Sequence, residues 1–166
     1  MSEEVTTLAD LLCTGLRGVV VGINPSPVSV AAGHYYQGSL GQRFFAGLAE
    51  AGALPPGHGF EDDRAYAAGL GFTDLSKRPT ARAAELPEEE LRRGRSLLEE
   101  RLRGIESPRI IFPFKKSAVV LLGRFDGFGL INRRLFGAEV FVMSGPMAPS
   151  EHRRQAISEL RDWWRA

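Results

Sequence analysis

The sequence predicts an α/β protein, a three-layer αβα sandwich around a central, mainly parallel four-stranded sheet. Short apolar runs rich in β-branched residues alternate with segments of helical periodicity. This alternation favours parallel strands with helices on both faces. A chain of 166 residues with 43% hydrophobic residues is long enough to bury one such core, so we expect a single domain over residues 1–166.

The first strand is the clearest element. Residues 17–22 contain three consecutive valines, and Gly22 and Pro25 interrupt this apolar run. Asn24 is therefore expected at the carboxyl end of the strand. In open α/β sheets that end of the strands is where ligands bind.

The other elements follow in order along the chain. The spacing of apolar residues predicts helices at residues 8–12, 42–51, 61–70, 87–103, 117–122 and 150–164. It predicts further strands at residues 71–75, 109–114 and 139–143. Acidic residues open the helix at 87–103 and arginines close it, as the helix dipole favours. Ser150 is expected to cap the last helix.

Composition narrows the classes of function. The single cysteine, Cys13, excludes an internal disulfide and an iron–sulfur cluster, which needs about four cysteines. The three histidines lie far apart in the sequence, so we expect no metal and no cofactor. The acidic N-terminus lacks the apolar core of a signal peptide, and no stretch approaches the ~20 apolar residues of a membrane span. We therefore expect a cytoplasmic protein without a membrane partner.

The net charge of +1 is close to neutral, but the basic residues occur in pairs. The pairs are Lys77-Arg78, Lys115-Lys116, Arg133-Arg134 and Arg153-Arg154. If these pairs share one face, they form a phosphate-binding surface without a basic total charge. The alternative is that each pair is an ordinary solvated surface charge.

Five stretches of the chain, in this order, carry a family resemblance. They are Gly22-Ile23-Asn24-Pro25, Gly33-His34-Tyr35-Tyr36-Gln37-Gly38, Gly41-Gln42-Arg43-Phe44-Phe45, residues 71–80 and residues 140–153. Together they resemble the mismatch-specific uracil-DNA and thymine-DNA glycosylases. The resemblance implies a monomeric enzyme that hydrolyses the N-glycosidic bond of uracil flipped out of double-stranded DNA, above all in G:U mispairs. Other deaminated bases and single-stranded DNA remain open as substrates.

The resemblance implies that Asn24 is the catalytic amide, which positions water or donates to the departing base. Asn most often caps a turn, and that is the alternative interpretation. Tyr36 matches the aromatic residue that packs on the flipped base, while His34 and Tyr35 line the pocket or contact phosphate. The residues expected at the base pocket are Gly22, Ile23, Pro25, His34, Tyr35 and Tyr36. Between Tyr36 and Arg43 the chain carries one residue more than the family pattern.

Asp74 is a departure from that pattern, since the family often has a neutral or basic residue there. It ends the second predicted strand, next to the strand of Asn24, so both side chains are expected at one crevice. A carboxylate can activate water or stabilise the positive charge that develops on the sugar. The alternative is an ordinary turn residue.

Five further residues are candidates for phosphate contacts: Lys77, Arg78, Lys116, Ser150 and Arg153. Lys116 and Ser150 also suit ordinary helix starts. Met147 and Pro149 are candidates for an apolar wedge that enters the base stack. The family's final motif has an Asn for the widowed partner base, and this chain has Ser144-Gly145-Pro146 there. A preference for guanine opposite uracil is therefore implied only by the resemblance and not by the residues of this motif.

Two other classes of function compete with a DNA glycosylase. A non-catalytic or weakly active DNA- or nucleotide-binding module with the same fold is suggested by the altered final motif. A phosphate-handling nucleotide enzyme is disfavoured because the chain lacks both Gly-x-Gly-x-x-Gly and the Walker pattern.

Overall fold

The computed structural model describes residues 4–166 and has a five-stranded mixed sheet at its centre. The strands are β1 (Gly18–Gly22), β2 (Leu70–Asp74), β3 (Arg109–Phe112), β4 (Gly129–Leu135) and β5 (Ala138–Val142). Their order across the sheet is β2-β1-β3-β5-β4. The first four strands in that order are parallel, and β4 runs antiparallel to β5.

Helices cover both faces of this sheet. They are α1 (Pro27–Ala32), α2 (Ser39–Glu50), α3 (Glu61–Ala67), α4 (Glu88–Ile105), α5 (Lys115–Leu122) and α6 (Ser150–Arg165), with a short 3₁₀ turn at Ala83–Glu85. Within residues 4–166, no helix is both long and apolar enough to span a membrane.

Two apolar cores lie on opposite faces because successive strand residues point to opposite sides. Val20 of β1 packs into one core with apolar residues of α2, α3 and α6. Val19 and Val21 pack into the other with α4 and α5. The predicted three-layer α/β/α arrangement is therefore confirmed.

The prediction of four strands was wrong by one, because β4 was missed. Its residues do not alternate regularly between apolar and polar, and Asn132, Arg133 and Arg134 are exposed. The pairing with β5 is irregular between Ile131 and Arg134. An edge strand needs only one side paired, and exposed charge is common there, so this strand lacks the pattern of a buried one.

The predicted helix at residues 8–12 was also wrong, because this segment pairs with β2 instead. The Leu11 N–H donates to the Phe72 carbonyl at 2.9 Å, and the Phe72 N–H donates back at 3.0 Å. Leu8 is buried in the core. The segment therefore covers the outer edge of β2.

Two details at helix starts also differ from expectation. Ser150 is the first residue of α6 rather than its cap, because Pro149 holds the cap position and makes no side-chain cap bond. The short helix α1 was not predicted, since Pro25 and Pro27 suggested a loop. Pro27 instead occupies the first helical turn, where its missing N–H costs nothing, and Ser26 caps the helix.

Candidate active site

The carboxyl ends of β1 and β2 meet at one edge of the sheet. In the parallel register Gly22 lies opposite Asp74, so the turn after β1 and the loop after β2 begin side by side. The loop is tied to the turn by backbone bonds. The Leu75 N–H donates to the Gly22 carbonyl at 2.8 Å, and the Ser76 N–H donates to the Ile23 carbonyl at 2.7 Å. The position of one loop therefore fixes the other.

A cavity of about 470 Å³ opens at this edge, a size typical of small-molecule sites. The loops after β1, β2 and β3 and the start of α2 supply its walls. Its lining includes Asn24, Tyr36, Leu40, Asp74, Ala83 and Phe114. The structure thus brings five predicted residues to one cavity: Asn24, Pro25, Tyr35, Tyr36 and Asp74.

Asp74 is the buried acid of this cavity, with 2% of its surface exposed. Among the described residues its Oδ2 atom has no hydrogen-bond partner. Burial raises the pKa of its carboxyl from 3.8 to about 7, and Asp10 adds to the rise, while Lys77 and Arg101 oppose it. The carboxyl therefore changes its charge near neutral pH.

Tyr36 brings its hydroxyl towards the same carboxyl group. A Cβ atom built on Gly22 would lie 2.5 Å from Asp74 Oδ1 and 2.8 Å from Tyr36 Oη. Only glycine leaves room for both groups over this strand. In the part of the chain described, the Tyr36 hydroxyl is buried without a hydrogen-bond partner. Burial, followed by the charge of Asp74, raises the pKa of Tyr36 above its ordinary value.

The backbone of Tyr36 is held in a fixed, uncommon conformation. Its φ is 56°, in the left-handed region. Gly41 of α2 packs directly on it, because a Cβ there would lie 2.5 Å from the Tyr36 carbonyl oxygen. Gln42 Nε2 also donates to this oxygen at 3.1 Å. These contacts give a structural reason for the Gly41-Gln42 pair of the sequence motif.

Asn24 is fixed by its amide nitrogen. Nδ2 donates to the Arg78 carbonyl oxygen at 2.8 Å and to the Thr80 hydroxyl oxygen at 2.7 Å. Both acceptors belong to the loop after β2. The side chain is partly exposed and lines the cavity.

Three predicted residues are engaged in contacts within the protein. Lys77 forms an ion pair with Asp10 and donates to the Tyr35 hydroxyl at 3.1 Å. Arg78 forms an ion pair with Glu90 at 2.8 Å. Tyr35 is buried, and its hydroxyl donates to the Ala9 carbonyl at 3.0 Å. These contacts compete with any role in binding DNA.

His34 lies outside the cavity lining. Its Nδ1 is 2.9 Å from Asp62 Oδ1 and 3.7 Å from Asp63 Oδ2, and its ring stacks on Phe60. Asp62 also accepts hydrogen bonds from the backbone N–H groups of Tyr35 and Asp63. The His34–Asp62 hydrogen bond and the bond from the Tyr35 N–H to Asp62 thus fix the chain just before Tyr36.

The loop between β5 and α6 lies beside the cavity. A smaller pocket of about 120 Å³ shares Leu40 and Phe114 with the larger cavity and is also lined by Ser150 and Arg153. Met147, in this loop, is 91% exposed, and Pro149 is exposed. Lys116 is exposed in the first turn of α5, after β3.

Four residues that build this site were not predicted from the sequence. Phe114 and Leu8 line the cavity, Thr80 bonds Asn24, and Asp10 pairs with Lys77. Two of them carried a signal, since Phe114 ends the predicted third strand and Thr80 ends the stretch 71–80 that carries the resemblance. Leu8 and Asp10 reach the site through contacts distant in sequence.

Fold and site together define a class of protein: an α/β protein with an amide and a buried carboxyl group in a cavity at the carboxyl ends of parallel strands. The family model of the uracil DNA glycosylase superfamily matches residues 9–166. The chain therefore belongs to this superfamily. It is also similar to a G/U mismatch-specific uracil DNA glycosylase of Schizosaccharomyces pombe, with 32% identity over 97 residues. That match covers 57% of this chain and 30% of the yeast protein.

Proposed function

We propose that this protein is a monofunctional DNA glycosylase that hydrolyses the N-glycosidic bond of uracil flipped out of a G:U mispair, as a step of base excision repair. The observation that carries the proposal is the buried Asp74 carboxyl group in the same cavity as Asn24. The Schizosaccharomyces pombe relative, a G/U mismatch-specific uracil DNA glycosylase, supports the choice of uracil opposite guanine. The proposal treats residues 1–166 as one domain that acts as a monomer.

The flipped base enters the cavity of about 470 Å³. Extrusion of a mispaired base costs less than extrusion of a paired one, which favours mismatches. Tyr36 and Phe114 line the cavity, and an aromatic ring there would stack on the flipped base.

Asn24 and Asp74 divide the chemistry between them. The amide has no useful protonation equilibrium near neutral pH, so Asn24 orients the attacking water but does not take its proton. The Asp74 carboxylate takes that proton or stabilises the positive charge on the sugar as the bond to the base breaks. Both roles require the ionised carboxyl.

Double-stranded DNA reaches this cavity from the carboxyl end of the parallel strands. Lys116, Ser150 and Arg153 are the proposed phosphate contacts, because they follow strands that end at this edge. Lys77 and Arg78 support the loop after β2 from within. Met147 or Pro149 enters the base stack as an apolar wedge.

The first test compares wild type with Asn24→Ala and Asp74→Asn. Duplexes carrying uracil, hypoxanthine or thymine opposite guanine, and single-stranded uracil DNA, are incubated with protein, and alkali then cleaves the abasic sites. Each substitution should lower the single-turnover rate on uracil by about two to four powers of ten without weakening DNA binding. Their combination should cost much less than the product of the two losses.

The pH profile of the same assay tests the role of Asp74. The raised pKa of about 7 means that acid converts the carboxylate to the inactive neutral form. The wild-type rate should therefore fall as pH drops through about 7, and the rate of Asp74→Asn should not show this decrease. A wild-type rate on uracil no faster than that of Asn24→Ala would refute the proposal.

The alternative function is a DNA- or nucleotide-binding module with little or no catalysis. The observation that favours it is Ser144-Gly145-Pro146 at the place where the resembled family has an Asn for the widowed base. Binding of uracil-containing duplexes without base release in the assay would support this alternative.

A further inference from the structure

The Asn24 amide has one atom left for a ligand. An amide group carries two N–H hydrogens and one carbonyl oxygen. Nδ2 uses its two hydrogens on the Arg78 carbonyl and the Thr80 hydroxyl, at 2.8 and 2.7 Å. Within residues 4–166, Oδ1 accepts no hydrogen bond that the structure records. The free atom is therefore an acceptor.

The identity of the two amide atoms follows from the chemistry of their partners. The Arg78 carbonyl oxygen can only accept, so the atom facing it must be a donor. A rotation of the amide by half a turn would bring Oδ1 against this oxygen, and two acceptors repel each other. The Thr80 hydroxyl donates its own hydrogen to the Arg82 carbonyl at 2.7 Å. Its oxygen is therefore also committed as an acceptor towards Asn24.

The loop that carries these two acceptors is itself held in place. Arg78 donates to Glu90 of α4 through Nε at 3.1 Å and through Nη2 at 2.8 Å. Ser76 Oγ donates to the same carboxylate at 3.0 Å and accepts from the Arg78 N–H at 3.2 Å. The Thr80 N–H donates to the Pro25 carbonyl at 3.3 Å. Helix α4 thus holds Arg78, and the turn after β1 holds Thr80.

We propose that Thr80 is a positioning residue whose hydroxyl, with the Arg78 carbonyl, locks the Asn24 amide so that only Oδ1 is offered to the substrate. This inference rests on the proposed glycosylase function and goes further. Asn24 then acts as an acceptor: it takes a hydrogen bond from the attacking water and leaves a water lone pair for C1′ of the sugar. It does not donate to the departing base.

The test replaces Thr80 with two residues of similar size. Thr80→Val keeps the shape but removes one of the two acceptors, so the Asn24 amide is held only by the Arg78 carbonyl and moves more freely. We expect the single-turnover rate on uracil opposite guanine to fall about tenfold to a hundredfold at unchanged DNA binding, as for misplacement of a reacting group. Thr80→Ser keeps the hydroxyl and should restore a rate close to wild type. Thr14→Val, at an exposed threonine, is the control.

A double-mutant cycle separates positioning from a general structural effect. In the Asn24→Ala background Thr80→Val should cause no further loss, because the group that it positions is absent. An equal loss in both backgrounds, or a Thr80→Ser protein as slow as Thr80→Val, would overturn the inference.

Nuclear magnetic resonance tests the lock without any activity. The side-chain NH₂ signals of Asn24, assigned by their loss in Asn24→Ala, should exchange slowly with water in the wild type and rapidly in Thr80→Val. Equal exchange in the two proteins would contradict the inference. A wild type that releases no base but shows the slow exchange would refute the proposed function and leave the amide lock supported.

Discussion

The ring and the hydroxyl of Tyr36 have different surroundings. The hydroxyl is buried near Asp74 Oδ1 above Gly22, and it lacks a hydrogen-bond partner among the described residues. The ring lines the cavity and meets Phe44 edge-on at 5.3 Å and Phe114 at 6.4 Å between centroids. Loss of the hydroxyl therefore removes no protein hydrogen bond, whereas loss of the ring removes a wall of the cavity.

We expect Tyr36→Ala to weaken binding of uracil-containing DNA roughly tenfold to a hundredfold, since stacking on one base contributes about 1 to 3 kcal/mol. Tyr36→Phe should be mild, because it keeps the ring face. Binding of a uracil duplex and of an undamaged duplex, with thermal unfolding of each variant, measures the effect. Severe and equal losses in both variants would assign the role to the hydroxyl.

At the scale of elements, the segment before β1 both pairs with the outer edge of β2 and places the charge of Asp10 near Asp74. Asp10 pairs with Lys77 and with Arg101 of α4, and it accepts from the Thr73 hydroxyl at 2.7 Å. Arg101 also donates to the Asp74 carbonyl at 3.3 Å. Near Asp74 there are thus two cations, Lys77 and Arg101, which lower its pKa. The anion Asp10 partly cancels their effect.

We expect Asp10→Asn to lower the pKa of Asp74, because it removes a negative charge and leaves Lys77 and Arg101 uncompensated. A base with a lower pKa stays ionised in more acid solution, so the acid limb of the rate profile should move to lower pH. Single-turnover rates between about pH 5 and pH 9 measure the shift. Asp162→Asn, exposed on α6, is the control. An unmoved limb in Asp10→Asn would mean that Asp10 only anchors the segment.

Sequence could predict those elements whose pattern is local. The valines of β1 and the glycine and proline after it were enough to put Asn24 at a strand end, and parallel strands bring Asp74 to the same edge. The pattern of residues 8–12 was ambiguous, because the leucines suit a short helix as well as an extended segment. The bond from Asn24 to Thr80 spans 56 positions, and no local pattern encodes it.

At the scale of the whole molecule, the basic pairs separate into two groups. Three pairs follow β2, β3 and β5 and lie near the carboxyl ends of the parallel strands. Arg133-Arg134 lies at the opposite end, since Arg134 pairs with Glu139 near the start of β5. Lys77 and Arg78 are held in ion pairs, whereas no ion pair involving Lys116 is recorded within residues 4–166.

We expect Lys116→Ala to weaken binding to duplexes of any sequence and to reduce the slope of log affinity against log salt by about one unit. Arg133→Ala removes the same charge at the far end of the sheet and should leave the slope unchanged. Titrations of a fluorescent duplex at several salt concentrations measure both. Equal slopes for wild type and Lys116→Ala would remove this lysine from the phosphate contacts.

The two edge strands of the sheet, β2 and β4, are protected from pairing with a further strand in different ways. On one side, the backbone of Leu11 occupies hydrogen-bonding positions of β2 that a foreign strand would need. On the other, β4 presents a run of exposed polar and charged residues with an irregular register. Self-templated strand addition, the first step towards sheet-mediated aggregation, is opposed at both borders. The N-terminal segment, whose Asp10 raises the pKa of Asp74, thus also blocks the outer edge of β2 from pairing with a strand of another molecule.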